Sequence, residues 1–386
     1  MAENNKKPRI RFKGFTEEWE QRKLGEVGKT FTGLSGKTAE DFGHGEAKFL
    51  PYLNIFNNPI ADTSFLESIE IDNSQNQIQY GDVFFTTSSE TPEEVGMSSV
   101  WLGKSANVYL NSFCFGFRPT IEFVPYYFGY LLRSDTFRKP IAILAQGISR
   151  FNISKTKVME IEVPLPCKEE QSKIGEYFKN LDSLIALHQR KYDKLLNVKK
   201  ALLDKMFPKN GKNIPEIRFK GFTEAWEQRK AKNILKSQPI DIDLEPNEFA
   251  KYEVIQQGNE PIAGYTNKEP FQKFEPIVLF GDHTLSIYKP KSPFLVASDG
   301  VKGYFLDNVK GNYFYHLLSV NLPKNEGYKR YSSILKNRDF MLTYNIIEEE
   351  KISTLLDNLD NLITLHQREC EKLKNVKKSL LEKMFV

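Results

Sequence analysis

Two segments of the chain carry an apolar residue or a histidine at every seventh position. These residues are Leu181, His188, Leu195 and Leu202 in the first segment, and Leu359, His366, Leu373 and Leu380 in the second. Such a repeat is typical of a coiled-coil seam, where the apolar stripe of one helix covers that of another. The pattern predicts two long antiparallel helices, over 169–207 and 347–386, each about 55 Å long at 1.5 Å per residue.

The seam is also a candidate surface for docking a partner protein. The residues assigned to it are Leu181, Leu184, His188, Leu195, Leu202, Leu359, Leu362, His366, Leu373 and Leu380. Its two histidines occupy equivalent positions. A polar residue in a seam commonly fixes the register of the helices, and this interpretation is favoured over a metal or proton-transfer role.

Two sequence blocks each occur twice. An opening block at 10–23 returns at 217–230 with one substitution, and a closing block at 180–207, which contains the seam, returns at 358–385 with most positions identical. Between these blocks the two halves differ at most positions. The chain therefore has the organisation of a fixed scaffold with two variable interiors. The opening block is favoured to be a packing element that docks each interior on a helix, and not a ligand site.

Both interiors are predicted to be mostly β with some helix. Runs rich in β-branched and aromatic residues, bounded by Gly and Pro, predict strands, at 82–87, 112–117 and 160–165. Apolar segments at 125–133 and 312–319 predict short buried helices at corresponding places. A weaker similarity follows each helix, Gly-Ile-Ser-Arg-Phe at 147–151 and Gly-Tyr-Lys-Arg-Tyr at 327–331. The interiors are therefore predicted to share one fold with different surfaces.

These patterns place the chain in the α+β class. We predict two related mixed α/β domains, over 1–168 and 217–346, separated by two long antiparallel coiled-coil helices in a pseudo-twofold internal repeat. The helices are assigned to 169–207 and 347–386. The stretch 208–216 contains two prolines and a glycine without periodicity and is assigned as a linker.

Composition narrows the class of protein. The 386 residues carry a formal net charge of +4, a mild excess that permits nucleic-acid binding without requiring it. The cysteines Cys114, Cys167 and Cys370 show neither metal-ligand spacing nor a disulfide framework, which indicates a reducing cytoplasm. No apolar stretch approaches the roughly 20 residues that span a bilayer. We therefore expect a soluble cytoplasmic protein without a membrane partner.

The sequence lacks the motifs that would support an active site. It contains no phosphate-binding loop ending in Gly-Lys-Ser/Thr, no Gly-x-Ser-x-Gly elbow and no His-Glu-x-x-His pair. A stand-alone nuclease or methyltransferase is therefore disfavoured. No catalytic residue, metal ligand or bound cofactor is predicted for this chain.

Polar loops flanked by glycine are the best candidates for a binding site. Hydroxyl, amide and cationic side chains are the groups that hydrogen-bond to base edges and phosphates. For any single residue an ordinary role in a loop is at least as compatible with the sequence, and only the presence of two related domains favours DNA. The candidate DNA-binding residues are Thr86, Thr87, Ser88, Ser89, Arg118, Ser149, Arg150, Asn152, Lys289, Lys291, Ser298, Lys302, Lys329, Arg330 and Tyr331.

Several motifs resemble those of a known family. They are the two RFKGFTExWEQRK openings, the two LDxLIxLHQRxxxKLxNVKKxLLxKMF helices, the segment 80–92 and the segment 147–166. On these motifs the chain is similar, over essentially its whole length, to the specificity subunit of a type I restriction–modification system.

The resemblance implies a non-catalytic DNA-recognition subunit. Two target-recognition domains would each recognise one half of a split sequence in double-stranded DNA, and the paired helices would set their separation. The framing regions would dock two modification subunits, which carry S-adenosylmethionine and methylate adenine, and two restriction subunits would add cleavage with ATP and Mg²⁺. The alternative is an orphan or regulatory scaffold that binds methyltransferase subunits without directing a full restriction complex.

Overall fold

The computed structural model describes residues 7–209 and 211–386. The first six residues and Asn210, one position of the predicted linker, lie outside the described residues. The chain divides into two compact units. Unit 1 comprises the chain up to His188 together with Glu369–Val386, and unit 2 comprises Gln189–Arg368. Each unit therefore contains part of both predicted long helices.

The first half of the chain alternates short strands with helices. Its strands are β1 (Glu20–Lys23), β2 (Gly28–Thr32), β3 (Phe42–Leu50), β4 (Glu67–Ile69), β5 (Val83–Thr86), β6 (Ser88–Ser89), β7 (Ser98–Val100), β8 (Val108–Leu110), β9 (Cys114–Pro119), β10 (Phe151–Asn152) and β11 (Glu162–Leu165). Its helices are α1 (Tyr52–Asn57), α2 (Pro125–Leu131), α3 (Asp135–Leu144), α4 (Lys155–Met159) and the long α5 (Lys168–Lys205), with 3-10 turns at Leu24–Glu26 and Ala39–Asp41.

The second half follows the same order with fewer elements. Its strands are β12 (Glu227–Lys230), β13 (Lys236–Gln238), β14 (Tyr252–Ile255), β15 (Ile262–Thr266), β16 (Val278–Gly281), β17 (Ile287–Tyr288), β18 (Phe294–Val296), β19 (Val301–Phe305) and β20 (Asp339–Leu342). Its helices are α6 (Ala231–Ile234), α7 (Gly311–Val320), α8 (Tyr331–Lys336) and the long α9 (Ile346–Lys383).

The two units share one sheet topology. In unit 1 a four-stranded sheet has the order β2-β9-β5-β7, and a three-stranded sheet has the order β4-β3-β8 with β3 parallel to β8. Unit 2 repeats this arrangement as β13-β19-β16-β17 and β15-β14-β18, with β14 parallel to β18. In each unit a separate pair, β1-β11 or β12-β20, joins the opening block to the strand that precedes a long helix. The prediction of one shared fold is confirmed.

The central strand β5 of unit 1 is buried on both faces. Val83 and Phe85 point to one face and Phe84 to the other, because side chains alternate along a strand. Phe85 packs with Phe137 of α3, whereas Phe84 packs with Trp101 and with residues of β3 and β8. Burial of one such phenylalanine contributes about 1.5–3 kcal/mol. The larger sheet of unit 1 therefore lies between helices on one face and the smaller sheet on the other.

The two long helices run antiparallel within unit 1. Lys377 Nζ donates to Asp182 Oδ1 over 2.6 Å, and Cys370 Sγ lies 4.0 Å from the carbonyl oxygen of Ile185. A later position on α5 thus meets an earlier position on α9. This pairing confirms the predicted antiparallel arrangement for the helix segments of unit 1.

The inward-facing residues of the long helices alternate in spacings of four and three, which is the pattern of a heptad seam. Along α5 and just after it these residues are Leu181, Ile185, His188, Tyr192, Leu195, Lys199, Leu202 and Met206. Along α9 and just after it they are Leu359, Ile363, His366, Cys370, Leu373, Lys377, Leu380 and Met384. In unit 2, Lys199 lies 2.5 Å from Asp360, which repeats the ion pair of unit 1. Leu184 and Leu362, 44% and 43% exposed, do not belong to the seam, contrary to the prediction, because each lies one position before an inward-facing isoleucine.

The first opening block joins the two long helices inside unit 1. Arg11 donates Nε and Nη2 to the two carboxylate oxygens of Glu170 over 2.7 and 2.8 Å, and Trp19 Nε1 donates to the same carboxylate over 3.0 Å. The backbone N–H of Ile10 donates to the carbonyl of Lys383 over 2.9 Å. The block is therefore fixed to the first turn of α5 and to the last turn of α9.

The second opening block makes the corresponding contacts inside unit 2. Arg218 donates to both oxygens of Glu348 over 2.7 and 2.9 Å, and the N–H of Ile217 donates to the carbonyl of Lys205 over 3.0 Å. This block is thus fixed to the first turn of α9 and to the last turn of α5. Both blocks pair an arginine and a backbone N–H with equivalent positions of the long helices, which gives the near-identity of their sequences a structural cause, although Trp226 Nε1, unlike Trp19 Nε1, has no hydrogen-bond partner among the described residues.

A buried carboxyl in unit 2 yields a stability prediction. Glu349 Oε2 has no hydrogen-bond partner among the described residues, and burial raises the pKa of this carboxyl to about 7. The first repeat has Gln171 at this position, whose amide donates to the Pro166 carbonyl and accepts from the N–H of Val124. Because an unpartnered buried group costs about 1–3 kcal/mol, we expect Glu349→Gln to raise the free energy of unfolding by that amount at pH 8, measured by denaturant titration.

The size of this gain should depend on pH. Since the folded pKa lies above the ordinary value of 4.5, the wild-type fold loses stability as the pH rises from about 4.5 through about 7. The gain from Glu349→Gln should therefore shrink at pH 4.5. The exposed neighbour Glu350 serves as the control, and Glu350→Gln should change stability by at most about 1 kcal/mol. An equal effect of Glu349→Gln at both pH values would contradict the explanation.

Candidate nucleic-acid interface

Three loops of unit 1 meet where β5 ends. The short strands β6 and β10 pair antiparallel, with Ser89 opposite Phe151 and Ser88 opposite Asn152. Thr87 donates its N–H and its Oγ1 to the carbonyl of Phe113, over 3.0 and 2.8 Å. The loops at 87–89, 111–113 and 146–152, which are far apart in sequence, thus form one surface.

Several predicted DNA-binding residues lie on this surface. Ser149, Arg150 and Asn152 are exposed, and Thr87 and Ser89 are partly exposed. Their hydroxyl, amide and guanidinium groups are donors and acceptors of the kind that base edges and phosphates require. The structure brings these five residues together, and their contact with DNA stays a prediction.

Two other predicted residues of these loops have internal roles. Thr86 is fully buried, and its Oγ1 accepts the N–H of Met97 over 3.0 Å. Ser88 is also buried, its Oγ accepts from Arg150 Nε over 3.2 Å, and its carbonyl accepts from Tyr52 OH over 2.8 Å. The prediction for Thr86 is corrected because its side chain faces the core, whereas Ser88 acts on the surface only through Arg150.

Arg118 lies at the opposite end of the larger sheet. It donates Nε and Nη2 to the buried carboxylate of Asp82 over 2.8 and 2.7 Å, and Nη2 also donates to the carbonyl of Gln77. The hydrogen bond to Asp82 raises the pKa of Arg118. Asp82 precedes β5, whereas the loop surface follows it. Arg118 therefore does not lie with the other candidates, and its contact with DNA stays a prediction.

Unit 2 has the corresponding surface at the end of β16. The N–H groups of Tyr331 and Ser332 donate to the carbonyl and the carboxylate of Asp282 over 2.8 and 2.7 Å. The N–H of Asp282 donates to the carbonyl of Gly300, as that of Thr87 does to Phe113 in unit 1. The loops at 282–286, 298–300 and 326–331 therefore correspond to the three loops of unit 1.

Sequence reasoning missed part of the unit 2 surface. The ring of His283 stacks on that of Tyr328, with centroids 4.7 Å apart and planes 4° apart. The N–H of His283 donates to Gln257 Oε1 over 3.1 Å, and Thr284 and Ser286 share a hydrogen bond of 2.8 Å. These residues directly follow buried strands. This position can be recognised as a signal only when the strands of the two halves are aligned.

The weak similarity between 147–151 and 327–331 is shifted relative to the structure. It aligns Arg150 with Arg330, but the N–H of Ile153 donates to the carbonyl of Thr87 and that of Tyr331 to the equivalent carbonyl of Asp282, which aligns Arg150 with Tyr328. Arg150 contacts Ser88, the second residue after β5, and Tyr328 contacts His283, the second residue after β16. Arg150 and Tyr328 therefore occupy corresponding places. A cation in one unit and an aromatic ring in the other give the two surfaces different chemistry.

The predicted unit 2 residues separate into three groups. Lys329 and Arg330 are exposed on the loop surface, with Ser298 partly exposed beside them and Lys302 partly exposed on β19. Tyr331 is buried, and its hydroxyl accepts the N–H of Glu326 and donates to the carbonyl of Gly327. The prediction that Tyr331 contacts DNA is therefore corrected, because its side chain is buried and holds the loop in place.

Lys289 and Lys291 form the third group and lie away from the loop surface. Lys289 donates to the carbonyls of Phe274 and Pro290, each over 3.3 Å, and burial lowers its pKa to about 8. Lys291 borders the same cavity, which Asp360 of α9 also lines. The structure therefore does not place these two lysines with the other candidates.

Within 7–209 and 211–386, no three His, Cys, Asp or Glu side chains are grouped so that they could hold a metal ion. Over the same residues, no helix is long and apolar enough to cross a membrane.

Comparison with known proteins agrees with this geometry. Residues 16–197 match the family model of the type I restriction modification DNA specificity domain. A protein of Methanocaldococcus jannaschii assigned as the type I restriction enzyme MjaX specificity subunit is 24% identical over 95% of this chain and 92% of its own length.

Two solved structures show the same fold. The S subunit of a type I restriction–modification system from M. genitalium has a TM-score of 0.62 at 14% identity, covering 98% of this chain and 99% of that one. A chain from a structure of complex assembly and conformational transition of the type I R-M system has a TM-score of 0.53 at 16% identity, covering 94% and 96%.

Residues 16–197 thus resemble the DNA specificity domain of type I restriction–modification systems. The resemblance of the chain to the specificity subunits of type I systems is confirmed, with residues 16–197 matching the family model. Members of this family recognise DNA and are not themselves the catalytic subunits.

Proposed function

We propose that this chain recognises a split sequence in double-stranded DNA, with the loop surface of unit 1 on one half and that of unit 2 on the other. One observation carries the proposal: the two units share a sheet topology and inter-loop hydrogen bonds but differ in the side chains on the loops. Two similar supports with different surfaces suit two different half-sites. Linking them makes the second contact intramolecular, so two modest half-site affinities combine strongly.

The exposed guanidinium of Arg150 gives the first test. If it contacts a base, Arg150→Ala should weaken specific binding by about 1–3 kcal/mol and relax selectivity at one position of one half-site. Band-shift titrations against single-base variants of the target would measure this. A phosphate contact would instead lower the salt slope by about one and leave selectivity intact. Unchanged binding and unchanged selectivity would remove Arg150 from the interface.

We further propose that the long helices dock two modification subunits, to which restriction subunits are added. S-adenosylmethionine would be bound by the modification subunits, and ATP with Mg²⁺ by the restriction subunits, all in the cytoplasm. The support is a group of three exposed apolar side chains on the long helices that occurs once in each unit. Its members are Leu184, Leu187 and Val376 in unit 1, and Leu362, Leu365 and Val198 in unit 2. Two equivalent surfaces suit two copies of one partner.

The docking proposal predicts a stepwise loss of partners. Because one leucine buried at an interface contributes about 1.5–3 kcal/mol, Leu184→Glu should weaken docking at one surface and leave a single modification subunit bound. Adding Leu362→Glu should abolish the second. Native mass spectrometry of the complex would count the subunits, with retained DNA binding as the check on folding.

A matched control comes from the repeat itself. Leu196 is also exposed on α5, but the second repeat carries Lys374 at the equivalent position. A surface common to both units cannot depend on this leucine, so Leu196→Lys should leave two modification subunits bound. Loss of both partners from Leu184→Glu alone would contradict independent docking.

A further inference from the structure

Each loop surface includes one large apolar side chain that is more than four-fifths exposed, and in unit 1 Phe113 is also 59% exposed. Ile148 is 98% exposed in the unit 1 loop at 146–152, and Tyr328 is 85% exposed in the unit 2 loop at 326–331. Both side chains lie among the polar and cationic groups of the candidate interface. An exposed apolar side chain does not stabilise the free protein. Exposed apolar patches often mark interaction sites.

The backbone of the unit 1 loop that carries Ile148 is held by hydrogen bonds and by a tight turn. Gln146 and Asn152 exchange two backbone hydrogen bonds, of 2.9 and 2.8 Å, which close the loop at its base. At Gly147, φ is +151°, and a Cβ there would lie 2.0 Å from the carbonyl oxygen of Arg150. Only glycine fits that close approach. The loop is therefore a tight turn that presents Ile148 outward, and not a loose segment.

The unit 2 loop holds Tyr328 by different means. The Tyr331 hydroxyl ties the N–H of Glu326 to the carbonyl of Gly327, each over 2.7 Å. One face of the Tyr328 ring is covered by His283, and His283 Nδ1 lies 3.1 Å from the carbonyl of Lys329. The ring is thus pre-positioned with its other face directed away from the stack.

The cationic residues beside Ile148 and Tyr328 indicate that the partner of these side chains is DNA. Arg150 lies two residues from Ile148, and Lys329 and Arg330 directly follow Tyr328. Lys329 pairs with Glu326 in an exposed ion pair, which is weak in water and exchangeable. Cationic side chains beside an exposed apolar side chain are suited to bind double-stranded DNA. The phosphates neutralise the cations while the apolar side chain reaches the bases. DNA-binding proteins commonly insert apolar side chains between base pairs in this way.

We propose that Ile148 and Tyr328 are wedges that unstack one base step in each half of the target. This inference rests on the proposed recognition of split DNA by the two loop surfaces. Ile148 would act as an aliphatic wedge, and Tyr328 would continue the His283 stack onto a base. Unstacking costs free energy that depends on the step, so each wedge also favours easily unstacked sequences.

The test uses the complex of this chain with its modification subunit and its methylated target duplex. 2-Aminopurine replaces each base of the target in turn, because its fluorescence rises when it is unstacked. The wild-type complex should raise the signal at one step in each half-site, apart from the methylated adenine. Ile148→Ala should remove the signal in one half-site only and weaken specific binding roughly tenfold, as expected for one apolar side chain that loses its burial. Tyr328→Ala should do the same in the other half-site.

Conservative variants and matched controls sharpen the result. Ile148→Leu and Tyr328→Phe should keep the signals, because they retain the apolar volume or the ring. Ile71→Ala and Phe249→Ala remove other exposed apolar side chains of units 1 and 2 and should have no effect. If the target is bound specifically but Ile148→Ala and Tyr328→Ala leave the signals unchanged, the wedge is overturned and the proposed function stands. If the wild-type complex shows no sequence-specific binding, both fail.

Discussion

A chimaera in which residues 24–166 come from another type I specificity subunit is expected to change one half of the methylated DNA sequence and to leave the other half unchanged. All three loops of the unit 1 surface lie inside this segment. The opening blocks and the long helices lie outside it, so the contacts of Arg11 with Glu170 and of Lys377 with Asp182 are retained.

The expected effect is large. Specific DNA binding is typically about 10³–10⁷ times tighter than non-specific binding of the same protein, so methylation of the original target should fall by at least about a thousandfold. The reciprocal exchange of residues 231–338 should alter only the other half. Sequencing of methylated adenines would record both outcomes. A chimaera that changes both halves, or neither, would show that the two units do not recognise DNA separately.

The second large effect concerns the opening blocks. Arg11→Ala should lower the free energy of unfolding by about 3–5 kcal/mol, because it leaves the carboxylate of Glu170, only 1% exposed, buried without its cationic partner. Arg218→Ala should do the same to Glu348, which is 0% exposed. Chemical denaturation of the intact chain, followed by circular dichroism, would measure both losses.

The control lies within the same block. Lys23 pairs with Glu160 over 2.7 Å, but both side chains are exposed, so Lys23→Ala should cost at most about 1 kcal/mol. If Arg11→Ala were as mild as Lys23→Ala, the opening block would not be what fixes the long helices to unit 1.

Sequence reasoning located the long helices because their heptad repeat is strong and long. It placed Leu184 and Leu362 in the seam because both are apolar. The true seam includes Tyr192, Lys199 and Lys377, whose polar ends made them look like surface residues. A lysine can occupy a seam when a carboxylate on the facing helix accepts its ammonium group, and that partner cannot be identified from one helix alone.

The candidate surface was predictable only in part. The loop at 87–89 could be recognised by its run of hydroxyl residues, and the loop at 149–152 because a serine, an arginine and an asparagine follow Gly147 there. Burial of Thr86 and Tyr331 depends on strands and loops that come from elsewhere in the chain, so composition could not reveal it. The stack of His283 on Tyr328 joins residues 45 positions apart, and only the pairing of the loops at the end of β16 brings them together.

The most direct test of the central claim is a map of methylated adenines in cells that contain the partner subunits, with and without this chain. Two dissimilar recognition surfaces held by one scaffold predict a chain-dependent motif in two parts, separated by a gap of constant length and indifferent sequence. An uninterrupted motif, or methylation that persists unchanged when the chain is removed, would contradict the account.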